Sequence, residues 1–178
     1  MGGTKAYISN MEGTDMAQPI MIFDLDHTVI CSRHRQLTRP DGSLCLESWR
    51  VNSTREKIFQ DSLLPLAGWM RRGYNHGAEI IICTARVISE HDLDFLDHKR
   101  LKYHHILARD GFNDNRPDAM LKVTKLTPFF YTRDKRDAVM FDDNQHVLAA
   151  VRNTGIRAID AIPLNQRLAE FVKSRKAA

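Results

Sequence analysis

Apolar positions fall into short runs separated by longer amphipathic stretches. Ile20 to Asp24 is a brief apolar run that ends in charge, and Glu79 to Thr84 carries Ile80, Ile81 and Ile82 in succession. An unbroken run of that kind suits a parallel strand covered on both faces. His104 to Leu107, Ala138 to Phe141 and Ile156 to Ile159 predict three further strands. Between them the spacing turns helical. Ile58, Leu63, Leu66, Trp69 and Met70 predict a helix over Thr54 to about Gly73, broken at Pro65. Helices are also predicted over Ser89 to Leu101, Pro117 to Phe130, Asn144 to Asn153 and Pro163 to Ser174. Proline at the first turn of the second of these fits a helix start. Strands alternating with helices predict an α/β fold, a Rossmann-like three-layer sandwich with a mainly parallel sheet.

Two stretches lack this order. Residues 1–17 hold three glycines and little apolar content, which predicts a flexible N-terminal tail. Residues 29–54 read as irregular, with a Pro-Asp-Gly turn at 40–42. The remainder, 18–178, is expected to form one domain.

Composition narrows the class. With 178 residues, 43% hydrophobic and 27% charged, the chain has an ordinary globular balance. No apolar run approaches the ~20 residues that span a bilayer. Met1 to Asn10 lacks a secretory pattern, so a cytoplasmic protein with no membrane partner is expected. Cys31, Cys45 and Cys83 show no Cys-x-x-Cys spacing, which argues against a zinc ribbon or a disulfide scaffold. A net charge of +4 mildly favours anionic partners.

The candidate chemistry lies at the strand ends. Asp24 and Asp26 alternate at the end of the first strand, with Thr28 two residues on, so they share a face. Adjacent carboxylates repel unless a cation separates them or one keeps its proton. That pattern suggests a magnesium site beside a nucleophilic or proton-shuttling carboxylate, although two aspartates also simply end a strand and cap a turn. Thr84 and Arg86 follow the second strand, and Asp142 and Asp143 follow the fourth. Ligands of parallel sheets sit beyond the carboxyl ends of the strands, where all three groups fall.

Over about residues 19–160 the chain resembles the haloacid-dehalogenase-like phosphohydrolases. Phe-Asp-Leu-Asp-His-Thr (23–28) resembles the family's first motif and Ile-Cys-Thr-Ala-Arg (82–86) the second. Arg-Pro-Asp-Ala-Met-Leu-Lys (116–122) resembles the third and Phe-Asp-Asp-Asn (141–144) the fourth. Thr84, Arg86, Arg116, Asp118 and Lys122 are also similar to the phosphatase domain of phage polynucleotide kinase-phosphatases, without the P-loop of a kinase half. In size the chain looks like stand-alone phosphatases carried by tailed phages, which implies the host cytoplasm. His27 departs from the family, where glycine is common.

The resemblance implies magnesium-dependent hydrolysis of phosphomonoesters through an aspartyl-phosphate. Asp24 is the implied nucleophile, and Asp26 the group that protonates the leaving alcohol and then activates water. The implied magnesium ligands are the Asp24 side chain, the Asp26 backbone carbonyl and Asp142, with Asp143 direct or through water. Thr84 and Lys122 are expected on the phosphate oxygens, although Thr84 also reads as a helix N-cap and Lys125 competes with Lys122. Thr28, Arg86 and Arg116 are expected substrate contacts. Arg86 has a second reading as the partner of a local carboxylate such as Glu90, and Arg109 and Arg116 as internal ion pairs with Asp110, Asp114 and Asp118. Asp92, Asp94 and Asp97 read as a solvated helix face, and one of His104 and His105 is expected in the core.

A small cap over about residues 29–65 leaves an open site, with Arg33, His34, Arg35, Arg39, Trp49 and Arg50 nearby. Trp49 is expected either to pack or to stack a base. The expected partner is a phosphorylated nucleotide or a nucleic-acid 3′-phosphate end. The competing functions are a small-metabolite or phosphoprotein phosphatase and a non-catalytic nucleic-acid-binding module.

Overall fold

The computed structural model describes residues 18–40 and 45–177. The expected tail and most of the Pro-Asp-Gly turn lie outside the described residues. Five parallel strands form the central sheet: β1 (Ile20–Phe23), β4 (Glu79–Cys83), β5 (His105–Leu107), β6 (Ala138–Asp142) and β7 (Arg157–Asp160). Their spatial order is β5-β4-β1-β6-β7. All five expected strands are present to within about two residues at their ends.

Side-chain alternation splits the core into two halves. Ile20, Ile22, Ile81, Cys83 and Met140 point to one face, where Leu126, Val147, Leu148 and Val151 cover them. These covering residues come from α5 (Asp118–Leu126) and α6 (Gln145–Asn153). Phe23, Ile80, Ile82 and Phe141 point to the other face, against Leu66, Met70, Phe95, Leu96 and Leu164. Those come from α3 (Leu66–Asn75), α4 (Glu90–His98) and α7 (Ala161–Ala177). Successive strand residues face opposite ways, so strands with two covered faces must be apolar throughout. The result is the three-layer sandwich.

Between β1 and α3 the structure is more regular than the sequence suggests. It contains β2 (Ile30–Cys31), a 3-10 turn (Arg33–Arg35), α1 (Leu46–Val51), α2 (Arg55–Ile58) and β3 (Ser62–Leu63). β2 and β3 pair antiparallel as a separate two-stranded sheet. The expected helix from Thr54 is therefore two helices with a strand between them. Thr54 caps α2 by accepting from the Lys57 N–H, and Pro65 stands at the start of α3. The predicted loop at Asn75 to Gly77 turns at Gly77, whose φ of +81° favours glycine.

The sheet order reverses at β1. The chain moves outward through β4 and β5, then returns to β6 on the other side of β1. Crevices at such a reversal open beyond the carboxyl ends of the strands. The segment leaving β1 is fixed from below. Asn165, on α7, is buried; its Oδ1 accepts from the Leu66 N–H and its Nδ2 donates to the Thr28 carbonyl, each at 2.9 Å. Asn165→Ala leaves both backbone groups unpaired in the interior, at ~1–3 kcal/mol each. A stability loss of about 2–6 kcal/mol is expected in urea denaturation, and an unchanged midpoint would show that water or relaxation replaces both bonds. Among the described residues no helix is long and apolar enough to cross a membrane.

Candidate active site

Asp24 directly follows β1, and its N–H donates to the Phe141 carbonyl at 3.0 Å. Asp142 ends β6, the neighbouring strand, and Asp143 comes next. Carboxylate oxygens of Asp24, Asp142 and Asp143 all lie within 4.8 Å of one another. Lys122, on α5, reaches in from the side. Its Nζ donates to Asp24 Oδ1 and to Asp142 Oδ2, each at 2.7 Å, and the residue is 3% exposed. Its helical neighbour Lys125 pairs with Asp110 instead.

The charges at this point do not balance. Three carboxylates face one ammonium, which leaves two negative charges uncompensated. Burial and the nearby Asp142 and Asp26 carboxylates push Asp24 up to about 7, against the pull of Lys122. Burial, then the charge on Asp24, raises Asp143 to about 6, while His27 and Lys122 pull the other way. Burial also raises Asp142, against Lys122. Lys122 itself is shifted upward, because its two carboxylate partners outweigh its burial. A cluster of hard oxygen donors short of two positive charges suits a divalent cation such as magnesium. The Asp26 side chain is not part of that cluster.

Asp26 belongs to a second charge network. Arg86 Nε and Nη2 each donate to its carboxylate at 2.6 Å, and the Ser32 hydroxyl also donates to it. Burial alone would raise Asp26, but the Arg86 guanidinium and these hydrogen bonds pull it down to about 2. Arg86 Nη1 donates to Asp92 at 2.8 Å, and Nη2 lies 3.7 Å from Asp61. Arg35 grips Asp61 with two bonds of 3.0 and 2.9 Å. Trp49 lies under both guanidinium groups, 4.1 Å from that of Arg35 and 5.3 Å from that of Arg86.

Several expectations change here. Arg86 pairs with Asp26 and Asp92 rather than with Glu90. Asp92 is buried, where it closes the Ser89 capping box of α4 and holds Arg86, so it is not part of a solvated face. Ser89 is the N-cap of α4. Thr84 sits earlier, 2% exposed, with its Oγ1 accepting from the Arg86 N–H at 3.3 Å. Thr28 is fully buried, with no partner for its Oγ1 among the described residues, which gives it a place in the core instead of at an exposed surface. The ion-pair reading of Arg109 and Arg116 holds: Arg116 is tied to Asp114 and Asp110, and Arg109 to Asp118 and Asp114. His104 is exposed and accepts from the Ile80 N–H, while His105 is half-buried beside Glu79, so neither is a core residue.

His27 has a φ of +56°, the left-handed region that costs a non-glycine residue roughly 1 kcal/mol. The turn geometry thus accounts for the family's glycine. The ring reaches Gln36 at 2.9 Å. Ser32 and Asp61 are site components that the sequence does not point to, and Asp92 is one that it reads as solvated. Each becomes significant only through a partner outside its own motif.

The sequence model of the Bacteriophage T5 5′-deoxynucleotidase family matches residues 10–177. The 5′-deoxynucleotidase of Escherichia phage T5 is 31% identical over 169 residues, covering 84% of this chain and 69% of that protein. A haloacid-dehalogenase-like hydrolase from Streptococcus pneumoniae shares the fold, with a TM-score of 0.56 at 14% identity over 80% of this chain and 84% of that one. So does a chain of the Pnkp1/Rnl/Hen1 RNA repair complex, with a TM-score of 0.58 at 21% identity over 89% of this chain. This chain spans only 47% of that one. With its sheet, its strand-end carboxylates and a match along nearly its whole length, the chain belongs to the bacteriophage T5 5′-deoxynucleotidase family and is a phosphatase on the haloacid-dehalogenase-like fold.

Proposed function

We propose that this phosphatase releases phosphate from deoxynucleoside 5′-monophosphates with a divalent cation, through an aspartyl-phosphate on Asp24. The observation that carries the reading is the buried Asp24–Lys122–Asp142 bridge with Asp143 beside it, at the reversal point of the sheet. The activity of the phage T5 relative supports the choice of substrate.

In this reading Asp24 attacks phosphorus, and the bond from phosphorus to the 5′ oxygen breaks. Asp26 gives its proton to that oxygen. It then takes a proton from the water whose oxygen attacks phosphorus; the bond from phosphorus to the Asp24 oxygen breaks, which frees the carboxylate and releases inorganic phosphate. The grip of Arg86 on Asp26 suits the second role, because it holds the ionised form. A phosphate arriving beside Asp24 brings like charge towards Asp26, which disfavours that form and favours the proton the first step needs. Lys122 shifts part of its positive charge from the carboxylates to the phosphate, and Thr84 offers its hydroxyl from the end of β4. Magnesium, held by Asp24, Asp142 and Asp143, would supply charge neutralisation for the transferring group.

The test is phosphate release from the four deoxynucleoside 5′-monophosphates, 3′-phosphorylated oligonucleotides and simple sugar phosphates. Each is assayed with magnesium and with a chelator. Highest kcat/KM on the mononucleotides and loss of turnover with chelator are expected. A preference for 3′-phosphorylated ends would transfer the assignment to nucleic-acid ends, and full activity in chelator would remove the cation from it.

A further inference from the structure

Two separate pieces of chain, each tied to the strand end that carries Arg86, meet at Arg50 and Phe112. The first is α1, whose Trp49 lies against Arg35 and Arg86. The second is the loop of residues 108–117 that follows β5. Arg109 ties this loop to the strand end that carries Thr84 and Arg86. It donates to the Ala85 carbonyl at 2.9 Å and, within the loop, to the Asp114 and Arg116 carbonyls at 2.6 and 2.9 Å. The meeting point is Arg50 with Phe112. Arg50 Nη2 donates to the Phe112 carbonyl at 3.0 Å, and its guanidinium lies 4.5 Å from the ring centroid.

Phe112 is out of keeping with its loop. Its neighbours from Arg109 to Asp118 are polar, charged, glycine or proline, yet this one ring is held 55% exposed. A buried phenylalanine stabilises a core, and an exposed one does not. Nor does phosphoryl transfer need it, because the charged groups at the strand ends serve that purpose. Trp49, the aromatic that the sequence brings forward, is half-buried beneath two guanidinium groups and presents less surface.

The geometry points to Phe112 as the platform on which the nucleobase of the substrate stacks, with Arg50 holding the ring. This rests on the mononucleotide reading above and names the part of the substrate that the ring recognises. Every base has a π face, so stacking tolerates all of them. The platform therefore separates nucleotides from base-free phosphate esters, and does little to separate one base from another.

The experiment compares wild type, Phe112→Ala and Phe112→Tyr on the four deoxynucleoside 5′-monophosphates and on deoxyribose 5-phosphate, which keeps the ester and lacks the base. Calorimetric binding of the same ligands to each protein is measured alongside. Phe112→Ala is expected to raise KM by about tenfold or more for all four nucleotides. Its kcat, and its kcat/KM on deoxyribose 5-phosphate, should stay near wild type, and Phe112→Tyr should restore KM. If the alanine variant keeps the wild-type preference for nucleotides over deoxyribose 5-phosphate, in turnover and in binding, the platform is refuted. If wild type hydrolyses no nucleotide yet binds them in a base-dependent way that Phe112→Ala abolishes, the platform stands and the mononucleotide phosphatase reading fails. Because the ring is exposed, unfolding of the alanine variant would itself contradict the argument.

Discussion

Asp24→Asn should abolish phosphate release while leaving the protein folded. A carboxamide has no charged oxygen with which to attack phosphorus, so the covalent route closes. Losses of ~10^4-fold or more accompany removal of a covalent nucleophile in other enzymes. The fold should not suffer, for reasons visible in the cluster. Asp24 is one of three carboxylates facing a single ammonium, and burial together with its like-charged neighbours raises it to about 7. Asparagine keeps the shape, removes one unit of that repulsion and still accepts from Lys122, which retains Asp142. In a chelator the variant should therefore melt at the wild-type temperature or above it. Phosphate release in enzyme excess and thermal denaturation are the two measurements. Wild-type turnover would remove Asp24 as nucleophile, and a lowered melting temperature would show that the repulsion argument is wrong.

The sheet was legible because its strands carry their own signal. Ile80, Ile81 and Ile82 need two covered faces, and that requirement alone predicts a buried parallel strand. Asp24, Thr84 and Asp142 were legible for a related reason: each stands where an apolar run stops, so the topology gathers them at one end. The segment between β1 and α3 was not. Its strands are two residues long and its helices four and six, too short for a period to register. What holds them is tertiary, as with Arg35 reaching Asp61 across 26 positions. The same holds for Arg86. Local spacing offered Glu90, whereas the fold offers Asp26, 60 positions away, and Asp92. Burial decides between them, because a guanidinium 4% exposed must find several acceptors and a carboxylate on the outer turn of a helix supplies none. Phe112 was silent in the sequence because one aromatic in a polar loop gives no pattern; only its exposure beside Arg50 does.

Arg86→Met carries the largest expected cost in stability. The guanidinium serves Asp26 through two hydrogen bonds and Asp92 through a third, with Asp61 at 3.7 Å. Methionine fills much of the volume and leaves these carboxylates facing one another. Breaking a buried ion pair from one side costs ~3–5 kcal/mol, and that is the loss expected in urea denaturation at pH 7. Arg86→Lys should recover only part of it, because an ammonium cannot match two oxygens with a planar fork. The pH dependence follows from Asp26. Its folded value of about 2 lies below the ~3.9 of an unfolded aspartate. The pair therefore stabilises the fold above pH ~4, and that contribution is lost as pH falls from ~4 towards 2. The gap between wild type and Arg86→Met should be widest at neutral pH and narrow on acidification, as the abandoned carboxylates take up protons. Turnover should fall as well, since among the described residues only Ser32 then holds the Asp26 carboxylate. A loss under about 1 kcal/mol at pH 7, or a gap that widens in acid, would mean that the network is not the anchor of Asp26.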